Sequence, residues 1–188
     1  MKLDKKANSN NDEFYTPKYA VTPIVEHLKK RQYKNIWSPF DMEHSLYVKV
    51  LRQEGFNVTP THINDGKNFF DYGGLLSRDI PECDCIVSNP PYSLKTEVLT
   101  RLFEIGKPFA MLVGVAGLFE SQKRFAMFRN NKFEILYLNL RVSYFQSYIE
   151  QTKSIPPSIN PPFQSVYICS DVLPKQVCFA EINKKDTQ

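Results

Sequence analysis

The chain has 188 residues, of which 42% are hydrophobic and 23% are charged, with a formal net charge of +4, an ordinary composition for one globular domain. No apolar run reaches the roughly 18 residues that a membrane span needs, and the first residues are too polar for a signal peptide. The four cysteines lack zinc-ligand spacing, so we expect a cytoplasmic protein with reduced, buried thiols, no membrane association and no metal.

The chain divides into a polar tail and a region of alternating helices and strands. Residues 1–12 are rich in asparagine, which predicts a disordered tail, and residues 13–188 are expected to form a single domain. Apolar spacing predicts, in order, helix 22–30, strand 35–38, helix 43–54, strand 56–63, strand 83–87, helix 94–105, strand 108–115, helix 120–130 and strand 133–138. Such alternation predicts an α/β fold, with a mostly parallel sheet and helices on both faces.

Two further apolar runs follow a proline-rich stretch near the end of the chain. Residues 165–169 and 176–182 read as strands, and a turn-like segment separates them. We therefore expect them to close the fold as a C-terminal antiparallel hairpin.

The stretch from Ser88 to Tyr92, of sequence Ser-Asn-Pro-Pro-Tyr, follows a predicted buried strand directly. Ligands of open α/β sheets bind beyond the carboxyl ends of the strands. Two successive prolines fix φ and remove two backbone donors, so the loop is stiff and its carbonyls stay free. The Asn89 side-chain oxygen and the Pro90 carbonyl would accept hydrogen bonds, and Tyr92 would offer a stacking surface. These parts suit a planar ring that bears an exocyclic amine.

This stretch resembles the catalytic motif of the amino-methyltransferases that depend on S-adenosylmethionine. More narrowly, the chain is similar to small phage and prophage-type DNA adenine-N6 methyltransferases. The resemblance implies a Rossmann-like class I methyltransferase fold, S-adenosylmethionine as cofactor, S-adenosylhomocysteine as product and DNA as partner. It also implies transfer to the N6 amine of a flipped-out adenine. The catalytic residues that it implies are Asn89, Pro90, Pro91 and Tyr92.

Three other segments resemble the family's cofactor-binding motifs in the family's order: residues 13–17, 36–41 and 65–70. The cofactor-binding residues implied are Phe14, Tyr15, Thr16, Pro17, Pro39, Phe40, Asp41, Asp65, Asn68 and Phe69. The aromatic members would face the sulfonium cation, with plain core packing as the alternative. Asp41 would hold the cofactor's amino group or else begin a helix. Asp65 would bind the ribose or else belong to a simple turn.

Basic residues flank an acidic middle of the chain. Residues 1–36 hold eight Lys and Arg against four Asp and Glu, residues 37–92 hold four against eight, and residues 94–132 hold seven against three. Solvated helix faces and a bound polyanion would both account for this distribution. The candidate phosphate contacts are Lys95, Lys123, Arg124 and Arg141.

A second match to the catalytic pattern lies at Asn160–Phe163, but it follows a proline-rich loop and precedes a strand. We therefore interpret it as a loop that borders the pocket. Residues 141–163 are the only stretch with room for a small target-recognition insertion.

Other functions stay open. The methyl acceptor could also be an adenine in RNA or a glutamine side chain of a protein, because the nitrogen of either would have to be held in a similar way in the same fold. The loop 38–44 after the first strand contains no glycine, which leaves a non-catalytic nucleic-acid-binding module as a further alternative. Both a monomer and a dimer are compatible with the sequence.

Overall fold

A seven-stranded sheet runs through the part of the chain that the computed structural model describes, residues 14–73, 78–153 and 155–186. Its strands are β1 Asn35–Ser38, β2 Asn57–Pro60, β3 Cys85–Ser88, β4 Phe109–Gly114, β5 Glu134–Leu138, β6 Ser165–Ser170 and β7 Val177–Ala180. They lie in the order β2-β1-β3-β4-β6-β5-β7, and only β6 runs against the other strands. The predicted tail, 1–12, lies outside the described residues.

The last two strands do not form the predicted hairpin. β6 lies between β4 and β5 and pairs antiparallel with both, so that Ile168 faces Met111 on one side and Ile135 on the other. β7 pairs in parallel with the outer side of β5. The two strands run in opposite directions as expected, but the predicted pairing between them is wrong. β6 is apolar and buried along almost its whole length, which suits a central strand covered on both faces, whereas β7 is half exposed at the sheet edge.

Helices cover both faces of the sheet, as predicted. They are α1 Lys18–Lys30, α2 Leu46–Gln53, α3 Lys95–Ile105, α4 Gln122–Asn130 and the short α5 Tyr148–Thr152. On one face α1 and α2 bury Leu28 and Leu51, while on the other α3 and α4 bury Leu102 and Phe128. In the described part of the chain, no helix combines the length and the apolar character that crossing a bilayer requires. The four cysteines are free and buried, as expected.

The strand order creates a crevice between β1 and β3. The chain passes from β1 outward to β2 and then returns to β3 on the other side of β1. Ligands of open α/β sheets bind at such a switch point, at the carboxyl ends of the strands. The two strand ends are joined here, because the Ser38 hydroxyl donates to the Val87 carbonyl at 2.9 Å. Both predicted motif loops therefore leave the sheet side by side.

Candidate cofactor and substrate pocket

A pocket lies at this switch point and encloses about 790 Å³ of space, including its open mouth. Eleven of the residues predicted to bind or react line it: Phe14, Tyr15, Thr16, Pro39, Phe40, Asp41, Asn68, Phe69, Asn89, Pro90 and Pro91. The structure thus brings four predicted motif segments, far apart in the chain, to one cavity.

Two predicted cofactor ligands are not part of this wall. Pro17 is buried as the residue that precedes the first turn of α1. Asp65 is exposed at the end of a short 3-10 turn, while His62 and Ile63 line the pocket instead. The His62 ring nitrogen Nδ1 accepts from the Asn64 backbone N–H at 3.1 Å, and Gly66 completes the turn at φ +68°. The structure places Asp65 in a turn, and its contact with the ribose stays a prediction.

Tyr92 packs into a buried aromatic cluster next to the pocket wall. Its ring lies 5.0 Å from the Phe14 ring and 5.4 Å from the Phe163 ring, measured between centroids, and only 8% of the residue is exposed. Its hydroxyl shares a hydrogen bond of 2.6 Å with the Tyr144 hydroxyl. A base that stacks on Tyr92 therefore has to displace Phe14 or Phe163.

Phe163 belongs to the second match of the motif, and its place depends on a glycine. A Cβ on Gly114 would come within 2.8 Å of the Phe163 ring. The absence of a side chain at the end of β4 thus makes room for this ring beside Tyr92. The loop borders the aromatic cluster rather than the pocket wall itself.

The amide of Asn89 is held in one orientation. Its nitrogen Nδ2 donates to the backbone carbonyl of Phe14 at 2.7 Å. Its oxygen Oδ1 is buried and has no hydrogen-bond partner among the described residues. An unsatisfied buried acceptor costs about 1–3 kcal/mol of free energy. A ligand that donates a hydrogen bond to this oxygen removes that cost and therefore binds more tightly.

Unpaired polar atoms gather in this pocket. Five buried side-chain atoms in the described part of the chain lack a partner, and three of them belong to residues of the pocket wall: Thr16 Oγ1, Asn89 Oδ1 and Gln151 Oε1. Native proteins leave few buried polar groups unsatisfied. A ligand with several hydrogen-bond donors could satisfy these three oxygens.

Asp41 joins the loop after β1 to the end of β3. Its carboxylate accepts hydrogen bonds from the hydroxyls of Ser45, at 2.9 Å, and Ser88. Burial raises the pKa of Asp41 from its ordinary 3.8 to about 6. Ser45, whose hydroxyl accepts from the Val48 backbone N–H, caps α2. Asp41 is therefore free of the helix-capping role and faces the pocket as a potential negative charge.

The predicted site residues leave out nine residues of the pocket wall, one of which (Phe70) lies inside the motif segment 65–70: Ser45, Leu46, Tyr47, His62, Ile63, Phe70, Leu94, Tyr148 and Gln151. Two of them, Tyr148 and Gln151, lie on α5, inside the segment 141–163 that was expected to serve target recognition. The backbone of Tyr15 pairs with that of Phe145 just before α5, which brings this helix over the pocket. No local pattern in the sequence signals this contact.

Two of the predicted phosphate contacts lie close to the diproline loop. Lys95 begins α3, and its ammonium donates to the carbonyl of Ala116. Arg124 donates to the Thr96 hydroxyl at 2.8 Å. Burial, together with the positive charge of Arg124, holds the pKa of Lys95 below its ordinary value. Lys123 and Arg141 are exposed.

Metal ligands do not cluster in the part of the chain that the structure describes: no group of three His, Cys, Asp or Glu side chains could hold a metal ion. The aromatic and amide character of the pocket wall suits an organic ligand.

Comparison with known proteins supports the fold. No protein-family model matches the sequence, and no curated protein matches it. Among solved structures, the chain is similar to one described as a modification subunit of a type I restriction enzyme from Vibrio vulnificus YJ016, with a TM-score of 0.56 and 10% identity. The match covers 94% of this chain and 48% of that one, so this chain spans about half its length. The likeness confirms the predicted α/β fold with a mostly parallel sheet and helices on both faces.

Proposed function

We propose that this protein transfers a methyl group from S-adenosylmethionine to the N6 amine of adenine in DNA. The observation that carries the proposal is the buried, unpaired Oδ1 of Asn89 in the pocket at the switch point. Because the bond from Nδ2 to the Phe14 carbonyl fixes the orientation of the amide, the unpaired atom is the acceptor oxygen and not the donor nitrogen. An exocyclic amine is the group of a nucleobase that satisfies such an acceptor.

The pocket wall fits the cofactor as well. The faces of Tyr15, Phe40 and Phe69 are suited to a sulfonium cation, and the Asp41 carboxyl offers a negative charge beside them. Thr16 Oγ1 and Gln151 Oε1 supply unpaired oxygens for further polar groups. When bound, S-adenosylmethionine supplies an electrophilic methyl group, and S-adenosylhomocysteine remains after transfer.

The chain's own residues would accelerate methyl transfer by holding the adenine amine in a reactive orientation. The amine of adenine is poorly nucleophilic because its lone pair is conjugated into the ring. Asn89 Oδ1 and the Pro90 carbonyl accept its two N–H bonds and favour a pyramidal nitrogen, whose lone pair is then available. The gain comes from orientation and from hydrogen bonding to the developing positive charge, so no strong base is required. The extra proton leaves the methylated nitrogen to solvent.

The acceptor base must leave its stack to reach this pocket. Tyr92 would stack on the base once the Phe14 or the Phe163 ring has moved away from the Tyr92 ring. By analogy with other base–aromatic stacks, this contact contributes about 1–3 kcal/mol. The proposal therefore requires that one of these two rings move to admit the base beside Asn89.

DNA is the proposed acceptor because two basic side chains lie at the start of α3, which follows the diproline loop. Lys95 and Arg124 are close enough for their charges to affect each other, and a nearby polyanion would relieve this repulsion. The fold likeness to a modification subunit of a restriction enzyme supports the same acceptor.

Methyl transfer from labelled S-adenosylmethionine to DNA, RNA and protein tests the proposal. We expect label in DNA, recovered as N6-methyladenine after digestion and mass spectrometry. Label only in RNA adenine or only in protein glutamine would overturn DNA as acceptor. No transfer, together with no cofactor binding at millimolar concentration, would overturn the enzymatic proposal in favour of a binding module.

The double variant Lys95→Gln, Arg124→Gln is expected to weaken DNA binding about tenfold at low salt, because it removes two phosphate contacts. The slope of log affinity against log salt should fall by about 2. The matched control is Lys34→Gln, Lys175→Gln, whose exposed lysines precede β1 and β7 at the opposite edge of the sheet. Fluorescence anisotropy with a labelled duplex measures both slopes. Equal slopes for the two double variants would contradict the placement of DNA at this edge.

A further inference from the structure

Two amide side chains of the pocket wall are held in the same way. Asn89 Nδ2 donates to the Phe14 carbonyl at 2.7 Å, and Gln151 Nε2 donates to the Thr16 carbonyl at 3.3 Å. In both residues the amide oxygen is buried and has no partner among the described residues. Both oxygens are therefore acceptors without a donor.

The backbone between residues 14 and 16 explains this match. Tyr15 pairs with Phe145 through both its N–H, at 3.4 Å, and its carbonyl, at 2.9 Å. In extended chain, successive carbonyls point to opposite sides, so those of Phe14 and Thr16 share the side away from Phe145. Residues two apart in such a chain are about 7 Å apart. The two amides are thus anchored side by side along one edge.

The position of Gln151 is fixed by its surroundings. Only 7% of the residue is exposed, and only 4% of Thr16. Ser147 caps α5, since its hydroxyl accepts from the Glu150 backbone N–H at 3.3 Å. Tyr148, one turn before Gln151, packs its ring 4.1 Å from that of Tyr15. The helix is therefore anchored in the turn that precedes the amide of Gln151.

We propose that Gln151 binds the ammonium group at the amino-acid end of S-adenosylmethionine, with the Thr16 hydroxyl beside it. The inference rests on the proposed function, which assigns the amine of the base to Asn89. An amide oxygen whose nitrogen is committed selects a donor, and the ammonium is the strongest donor at that end of the cofactor. Segment 141–163 accordingly contributes a cofactor-binding residue.

Isothermal titration with S-adenosylhomocysteine and with its deaminated analogue tests this role without any turnover. We expect Gln151→Met to weaken binding of S-adenosylhomocysteine about tenfold, since a hydrogen bond to a charged group is lost. Binding of the deaminated analogue should be the same for wild type and variant. Gln146→Met makes the same change at an exposed position of the same segment and should alter neither affinity.

An equal loss for both ligands would show that Gln151 only supports the wall, and no loss for either would exclude contact; both outcomes overturn the inference. Gln151→Leu removes the same amide with a different shape. Thermal unfolding of Gln151→Met and Gln151→Leu shows which variant keeps the wild-type midpoint, and that variant is used for the titrations. If the wild-type chain binds neither ligand, the proposed function itself fails. A wild type that binds both and a variant without selective loss refute only the role of Gln151.

Discussion

Asn89→Leu is expected to lower the rate of methyl transfer by about 10²–10³-fold while cofactor affinity stays within about threefold of wild type. Leucine has nearly the shape of asparagine but cannot accept the N–H groups of the amine. In the proposed function, the cofactor would contact other parts of the wall, including Asp41 and Phe40. Single-turnover transfer to DNA and isothermal titration with S-adenosylhomocysteine measure the two quantities.

The matched control is Asn130→Leu, at an exposed position at the end of α4. It should leave both quantities unchanged. A rate for Asn89→Leu within tenfold of wild type would remove Asn89 from the mechanism. Parallel loss of rate and cofactor affinity would place this amide at the cofactor and not at the base. Thermal unfolding checks that loss of the bond to the Phe14 carbonyl has not opened the fold.

Asp41 is expected to make the stability of the ligand-free chain depend on pH. Burial raises its pKa from 3.8 to about 6, so the folded chain holds the proton more tightly than the unfolded chain. The tighter binding of this proton stabilises the folded chain. The stabilisation is fully present below pH 3.8 and is lost as pH rises through 6. The shift corresponds to about 3 kcal/mol. Asp41→Asn, which cannot ionise, should therefore gain up to about 3 kcal/mol relative to wild type between pH 4 and pH 8.

Urea unfolding at several pH values measures this difference. Asp65→Asn is the matched control, since Asp65 is exposed on a nearby turn, and its difference from wild type should vary less with pH. A difference for Asp41→Asn that does not change between pH 4 and pH 8 would contradict the raised pKa of this carboxyl. A saturating cationic ligand should reduce the effect in wild type, because it favours the ionised carboxylate.

Several parts of the fold and the site were predictable from short stretches of sequence. Apolar alternation located every strand to within a few residues, because strand and helix patterns are set by near neighbours. The diproline loop after β3 and the Pro39–Asp41 loop after β1 lie where the sequence predicted. They meet because parallel strands end at the same edge of a sheet.

The sequence by itself therefore determined the α/β class, the positions of the motif loops and the residue types that they carry. Only the tertiary structure decided the insertion of β6 between β4 and β5, the packing of Phe163 against Tyr92 and the arrival of Gln151 in the pocket. Each of these contacts joins segments more than 20 residues apart. The physical reason is that such pairings depend on which buried faces and backbone edges are left to be satisfied once the whole chain has folded, and no local pattern encodes that.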